Sequence, residues 1–218
     1  MAAMTTAVPA LYPSRAAAGA QLGRHVYQRV RPPLLVLGVT PTGVEIAANV
    51  AKAMSCPFDV IVASHVRVEG TGIVGAMAED ADAVLDPEFQ PGFGVIDALN
   101  QGMENARRAI KSERLLFRGP RPLRAVTAMT VVVVDGQLTT AWKTLAAASA
   151  AEEAGAAGVL IAAPVSTQLV HDLMVAKRVD FVCPSVLADP AGHPHPFGDP
   201  GDPSAERLRS IVVAREAA

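Results

Sequence analysis

The run VVVVDGQLTTAWKT, from Val131 to Thr144, constrains the fold of this chain more than any other stretch. Four consecutive valines give a strand with no polar face, as expected of a strand covered on both sides in a parallel sheet. The strand ends on a carboxylate, Asp135, followed by a short polar loop and an alanine-rich segment that reads as a helix. A strand, a tight turn and a helix in that order set a row of helix N-terminal amides beside Asp135. Such a turn is shaped to hold a phosphate.

The rest of the chain repeats the alternation. Strand-like runs occur at Leu34 to Val39, Phe58 to Ala63, Met129 to Val134, Val159 to Ala163 and Phe181 to Cys183. Between them, Val44, Ala47, Val50, Ala51 and Met54 recur at helical spacing, as do Val95, Leu99, Met103, Ala106 and Ile110, and then Leu169, Leu173 and Met174. Ser166 is placed to cap the third of these helices, Gly155 to close the helix that starts after Thr140, and Leu208, Ile211 and Val212 form the apolar face of a last short helix. The expected fold is therefore α/β: a Rossmann-like parallel sheet of about five strands flanked by helices, with ligands bound at the carboxyl ends of the strands. Residues 64–93 break the alternation, being acidic and glycine-bearing, and read as a small hood of hairpin and loop over the open edge of the sheet. The segment Arg114 to Arg124, rich in arginine and proline, links this hood to the Asp135 strand.

A chain of 218 residues that is 50% hydrophobic can fill one globular domain, read here as residues 12–218 behind a loose N-terminal arm of residues 1–11. The net charge of -2 excludes a generally basic nucleic-acid binder. No apolar run approaches the roughly 20 residues needed to span a bilayer, so a cytoplasmic protein without a membrane partner is expected. Cys56 and Cys183 lie beside apolar runs without zinc spacing and read as buried reduced thiols.

Several catalytic signatures are missing: G-x-G-x-x-G after the first strand, the P-loop G-x-x-x-x-G-K-[ST], the G-x-S-x-G elbow and H-E-x-x-H. His193 and His195, with Asp199 and Asp202 nearby, sit in a proline-rich stretch without a second strictly spaced ligand pair, and read as a surface loop with no metal assigned. Arg107, Arg108, Lys111 and Arg114 read as a solvated helix face. Asp135 taken alone could be a turn or capping residue. Trp142, the only tryptophan, is either a packing plug or a wall of the ligand site, and His65 is either a polar strand-end residue or a catalytic group.

From Asp135 to Lys143 the chain reads DGQLTTAWK, which resembles the D-D-G-x-A-T-G-x-T loop of the type I phosphoribosyltransferases, and the frame holds without gaps through Gly155 to Pro164. The likeness extends along most of the chain. YPSRAAAGAQL at Tyr12 to Leu22 resembles the family's opening, and LLVLGVTPTGVEIAANVAKAM its first strand, PRGG loop and helix. GAMAE at Gly75 to Glu79 is similar to its GAVAE, and FRG at Phe117 to Gly119 to its YRG. Phe197 and Asp199 fall at aromatic and acidic positions near its end.

The resemblance implies binding of a small phosphorylated ligand, phosphoribosyl pyrophosphate, with magnesium bridging its ribose diol and pyrophosphate, and transfer of the phosphoribosyl group to an acceptor such as a nucleobase. It implies a homodimer as well. The phosphoribosyl site would comprise Asp135, Gly136, Gln137, Leu138, Thr139, Thr140, Ala141, Trp142 and Lys143. The pyrophosphate loop would comprise Thr40, Pro41, Thr42 and Gly43, and the candidate catalytic residues are Asp135 and His65. The family pattern is thinned here. Its second acid is Gly136, Ala141 replaces a loop glycine, Pro41 replaces the PRGG arginine, and Ser64 and His65 replace an arginine-lysine pair. Arg67, Arg118 or Arg121 could compensate for the lost cations. These losses motivate an alternative, a non-catalytic descendant serving as a phosphate-binding regulatory or dimerisation module. Phosphate-ester chemistry on another sugar is a third reading.

Overall fold

A computed structural model describes residues 10–39, 41–188, 195–199, 201 and 203–216. The chain begins with helix α1 (Arg15–Tyr27), whose first turn is capped by Ser14 Oγ accepting from Ala17 N at 3.0 Å. Strand β1 (Leu34–Val39), helix α2 (Gly43–Met54) and strand β2 (Phe58–Ile61) follow. Next come β3 (Ala63–Val68), β4 (Gly72–Ala78) and β5 (Ala83–Leu85), and then a 3-10 turn at Phe93–Val95 leads into the long helix α3 (Ile96–Arg118). Beyond it lie β6 (Thr130–Val134), β7 (Gln137–Leu138), α4 (Trp142–Glu153), β8 (Gly158–Ala162), β9 (Val165–Thr167) and α5 (Gln168–Ala176). The last elements are β10 (Phe181–Val182), β11 (Ser185–Leu187) and α6 (Ala205–Glu216).

Five strands form the central parallel sheet in the order β10-β8-β6-β1-β2. Alternation along each strand divides its side chains between two cores. Val36, Val132, Val134 and Leu160 meet the apolar faces of α1, α2 and α6. Leu35, Leu37, Val131, Val133 and Ile161 meet Ala146, Ala147, Ala150 and Ala151 of α4, with Val170 and Met174 of α5. Both layers are apolar, which explains why β1, β8 and β10 carry no polar side chains. The alanines of α4 permit close approach on two sides, since the helix touches both the parallel sheet and strands β3 to β5.

The hood is more regular than the sequence suggested. Strands β3, β4 and β5 form an antiparallel sheet with a bulge at Val66/Arg67, and Val66, Val68, Val74 and Met77 pack on Leu99, Ala106 and Ile110 of α3. A third sheet, β11-β9-β7, is parallel and was not foreseen, because Gln137 and Leu138 pair with Val165 and Ser166 across more than two dozen residues of chain.

Other expectations need adjustment. The run from Phe58 to Ala63 is not one strand: β2 stops at Ile61 and Ala63 opens β3. Val95 lies in the 3-10 turn, and α3 continues past Arg114 to Arg118 because Phe117 and Arg118 are buried. Ser166 does not cap α5. It is buried in β9 with its hydroxyl donated to Thr167 O, and the cap is Thr167, whose Oγ1 accepts from Val170 N at 3.2 Å. Gly155 follows the C-cap of α4 at φ +86, a conformation that suits glycine. The last helix is twelve residues long, with Leu208 and Val212 buried. Cys56 and Cys183 are half-buried rather than buried, and desolvation pushes the Cys183 thiol up to about 11. No helix among the described residues is long and apolar enough to cross a membrane. The arm of residues 1–9, together with Thr40, His193 and Asp202, lies outside the described residues.

Candidate functional site

Strands β1 and β6 are neighbours in register, Gly38 opposite Val134, so the loops that leave their carboxyl ends meet. The contact is backbone to backbone. A Cβ at Gly43 would lie 2.1 Å from Val134 O, and one at Gly136 would lie 2.7 Å from Thr42 O, both inside the distances that real side chains allow. Glycine is required at each position by this close approach.

Asp135 ties the two loops together. Its carboxylate is buried, and Oδ1 accepts from Thr42 Oγ1 at 2.5 Å and from Gly136 N at 2.6 Å. Because the Thr42 hydroxyl is directed to Asp135, α2 starts without a side-chain cap. Helix α4 is also uncapped, with Ala141 at its N-cap position. Two helices thus begin at adjacent strand ends with first-turn amides that no side chain caps, an arrangement suited to an anion. Leu138 is fully buried and anchors the loop through β7, while Thr139 and Thr140 follow at the mouth.

From the hood, His65 reaches this loop: its Nε2 lies 3.1 Å from Thr140 Oγ1. Burial, followed by the nearby Lys143 and Arg67 charges, pushes the imidazole down to about 4, so it is neutral near pH 7. A cavity of about 400 Å³ is lined here by Pro41, Ser64, His65, Arg67, Glu113 and Lys143. A smaller one of about 140 Å³ lies by Thr42, Gly136 and Gln137, walled by Arg15, Phe197 and Asp199. Trp142 packs on the core and, with Thr139, Thr140, Leu169 and Leu173, lines a third cavity of about 560 Å³.

The structure brings Pro41, Thr42, Gly43, His65, Asp135, Gly136, Thr139, Thr140 and Lys143 to one end of the sheet, and Arg67 joins them. It does not bring Arg118 or Arg121. Arg118 is buried against Glu79 and Val60 O, and Arg121 forks onto Asp59 through NH1 at 2.9 Å and NH2 at 2.7 Å. Both tie the end of α3 and the linker after it to β2. Arg107, Lys111 and Arg114 line a separate cavity of about 530 Å³ along with Asp80, Asp82 and Glu153.

Sequence reasoning missed how the chain ends meet. Tyr12 N donates to Pro196 O at 3.0 Å, and Arg15 N donates to an Asp199 carboxylate oxygen. The Arg15 guanidinium sits 5.6 Å from the centre of the Phe197 ring. The aromatic and acid near the carboxyl end and Arg15 in the opening motif were each visible in the sequence, but their contact was not.

A bound magnesium would require several oxygen ligands in near-octahedral geometry. No group of three or more His, Cys, Asp or Glu among the described residues could hold a metal ion. Asp135 Oδ1 already accepts two hydrogen bonds, and Thr42 O occupies the space where a second carboxylate would begin at position 136. The residues present lack the second acid that would help to hold such an ion.

No protein-family model matches the chain. Over 185 residues, 83% of this chain, it is 29% identical to proteins from two strains of Mycobacterium tuberculosis that carry the name "Putative phosphoribosyl transferase", and it spans 41% of their length. Its fold resembles the crystal structure of TT1426 from Thermus thermophilus, with a TM-score of 0.80 at 26% identity, over 93% of this chain and 98% of that one.

Proposed function

Because the chain belongs to the phosphoribosyltransferase family, we propose that it binds phosphoribosyl pyrophosphate across the ends of β1 and β6 and transfers the phosphoribosyl group to an acceptor nucleophile, with nucleobases the first class to screen. The observation that carries this reading is the Thr42–Asp135 tie, which joins two uncapped helix starts at neighbouring strand ends. The loop from Gln137 to Lys143 would receive the 5-phosphate through backbone amides and the Thr139 and Thr140 hydroxyls. Asp135 would lie under the ribose, and Pro41 to Gly43 with His65, Arg67 and Lys143 would surround the pyrophosphate.

In the reaction the bond from the anomeric carbon to pyrophosphate breaks and the acceptor lone pair forms the new bond. Positive charge develops on the ribose and negative charge on the leaving group. A carboxylate beneath the ring favours the first, and the Lys143 and Arg67 cations favour the second. His65, being neutral, acts as a hydrogen-bonding group that orients the Thr140 hydroxyl. A closed hood would exclude water, which otherwise competes as acceptor.

Trp142 beside Thr139 and Thr140 provides the test. Its fluorescence should respond saturably to phosphoribosyl pyrophosphate, and a nucleobase should then release pyrophosphate in a reaction lost in Asp135→Asn. A flat titration, confirmed by calorimetry, would refute donor binding. Saturable binding without release for any acceptor would favour the binding-module reading instead.

A further inference from the structure

Taking the donor site above as its premise, we propose that this protein binds its phosphorylated ligand without a divalent cation, with Lys143 and Arg67, in the cavity between β3, α3 and α4, supplying the positive charge that a metal would otherwise bring. Two independent features of the chain lead to this assignment.

The first is steric. Metal-assisted binding of a ribose diol and pyrophosphate depends on oxygen ligands and on carboxylates that hold the hydrated ion in place. At position 136 the space is closed by a backbone atom: a Cβ would lie 2.7 Å from Thr42 O and 3.1 Å from Thr42 C. Backbone cannot swing away as a side-chain tip can, and the neighbouring Gly43–Val134 contact is tighter still. Opening space for a second acid therefore means parting the two loops. Of the remaining acid, Asp135, Oδ1 accepts from both Thr42 Oγ1 and Gly136 N, which commits that oxygen to loop closure.

The second is electrostatic. Lys143, at the start of α4, faces the same cavity as Arg67 of β3 and His65, with Ser64 and Asn105 as neutral polar wall and Glu113 of α3 as the one carboxylate lining it among the described residues. Two cations against one anion leave the wall positive. A lysine in the first turn of a helix opposes the helix dipole, and a bound anion reverses that sign. The neutral state of His65 follows from burial first and then from these same two cations, so an anion entering the cavity would also favour protonation of the imidazole.

Calorimetry on the full chain tests the proposal with phosphoribosyl pyrophosphate and, separately, inorganic pyrophosphate, each in excess magnesium and in EDTA. We expect dissociation constants that agree within about threefold between the two conditions, and weakening of about tenfold or more in Lys143→Met and in Arg67→Met, each with an unchanged circular-dichroism spectrum. Tightening of about tenfold or more by magnesium would overturn the inference, as would unchanged affinity in both variants. If phosphoribosyl pyrophosphate fails to bind while pyrophosphate binds in EDTA through Lys143, the donor reading falls and the metal-independent anion site stands. If neither ligand binds in EDTA, the inference itself is wrong.

Discussion

Glu79→Ala should destabilise the protein by about 3–5 kcal/mol, the loss expected when one partner of a buried ion pair is removed. The side chains of Arg118 and Glu79 are 0% and 2% exposed. Glu79 Oε1 accepts from Val62 N and from Arg118 NH1, both at 3.0 Å, and Oε2 accepts from Arg118 NH2. After truncation the guanidinium would keep Val60 O, 2.7 Å from NH1, among the partners seen here, while Val62 N would lose its acceptor. The penalty belongs to the uncompensated charge more than to the pair itself. Replacing both residues, as in Glu79→Leu with Arg118→Met, should therefore cost only about 1–3 kcal/mol, from the backbone groups left unpaired. Urea denaturation of wild type, both single variants and the double variant gives the coupling directly. A loss below about 1 kcal/mol in Glu79→Ala, or a double-variant loss equal to the sum of the singles, would refute the reasoning. Salt should have little effect, because screening acts weakly on buried pairs. The experiment also probes the site, since the pair fixes the end of β4 and the end of α3 beside β2, and β3 carries His65 from that junction.

Two further outcomes follow from the loops and the hood. Gly43→Ala should cost about 1–3 kcal/mol in urea denaturation, because its methyl would lie 2.1 Å from a strand carbonyl and the loop must move, and the same movement should abolish the fluorescence response of Trp142 to the donor; wild-type stability and response would contradict the steric argument. His65 titrates at about 4 in the folded protein, below its ordinary value of about 6.5, so the unfolded chain takes up the proton first. The stability that the neutral imidazole contributes is present above about 6.5 and is lost as pH falls towards 4. Imidazole NMR should show this low titration, and His65→Gln should flatten that part of the stability profile; a midpoint near 6.5 in the folded protein would contradict it.

The strands of the parallel sheet were legible because burial on both faces forces continuous apolar runs: Leu34 to Val39 reads as a strand from composition and length alone, and its observed bounds are the same. The apolar face of α2 was legible from its helical spacing, and Gly155 marked the end of α4. Asp135, the loop after it and the helix start were recognisable as a candidate site because their order along the chain is local. Other features depended on distant partners. Ser166 was the cap the sequence offered, and its pairing with Leu138 in a small sheet left the role to Thr167. Arg67, Arg118 and Arg121 were alike as candidate cations until Glu79 and Asp59, far along the chain, took two of them away from the cavity. Gly136 looked like a lost acid, and only the crossing of the Thr42 backbone beside it shows that a side chain has no room there. What the sequence by itself determined is therefore the layered α/β architecture and the location of the loop, since hydrophobic periodicity and turn chemistry act over a few residues. Only the tertiary structure decided which polar groups face the cavity and which are held in buried pairs, because hydrogen bonds and close contacts are made between residues that the sequence separates and the fold brings together.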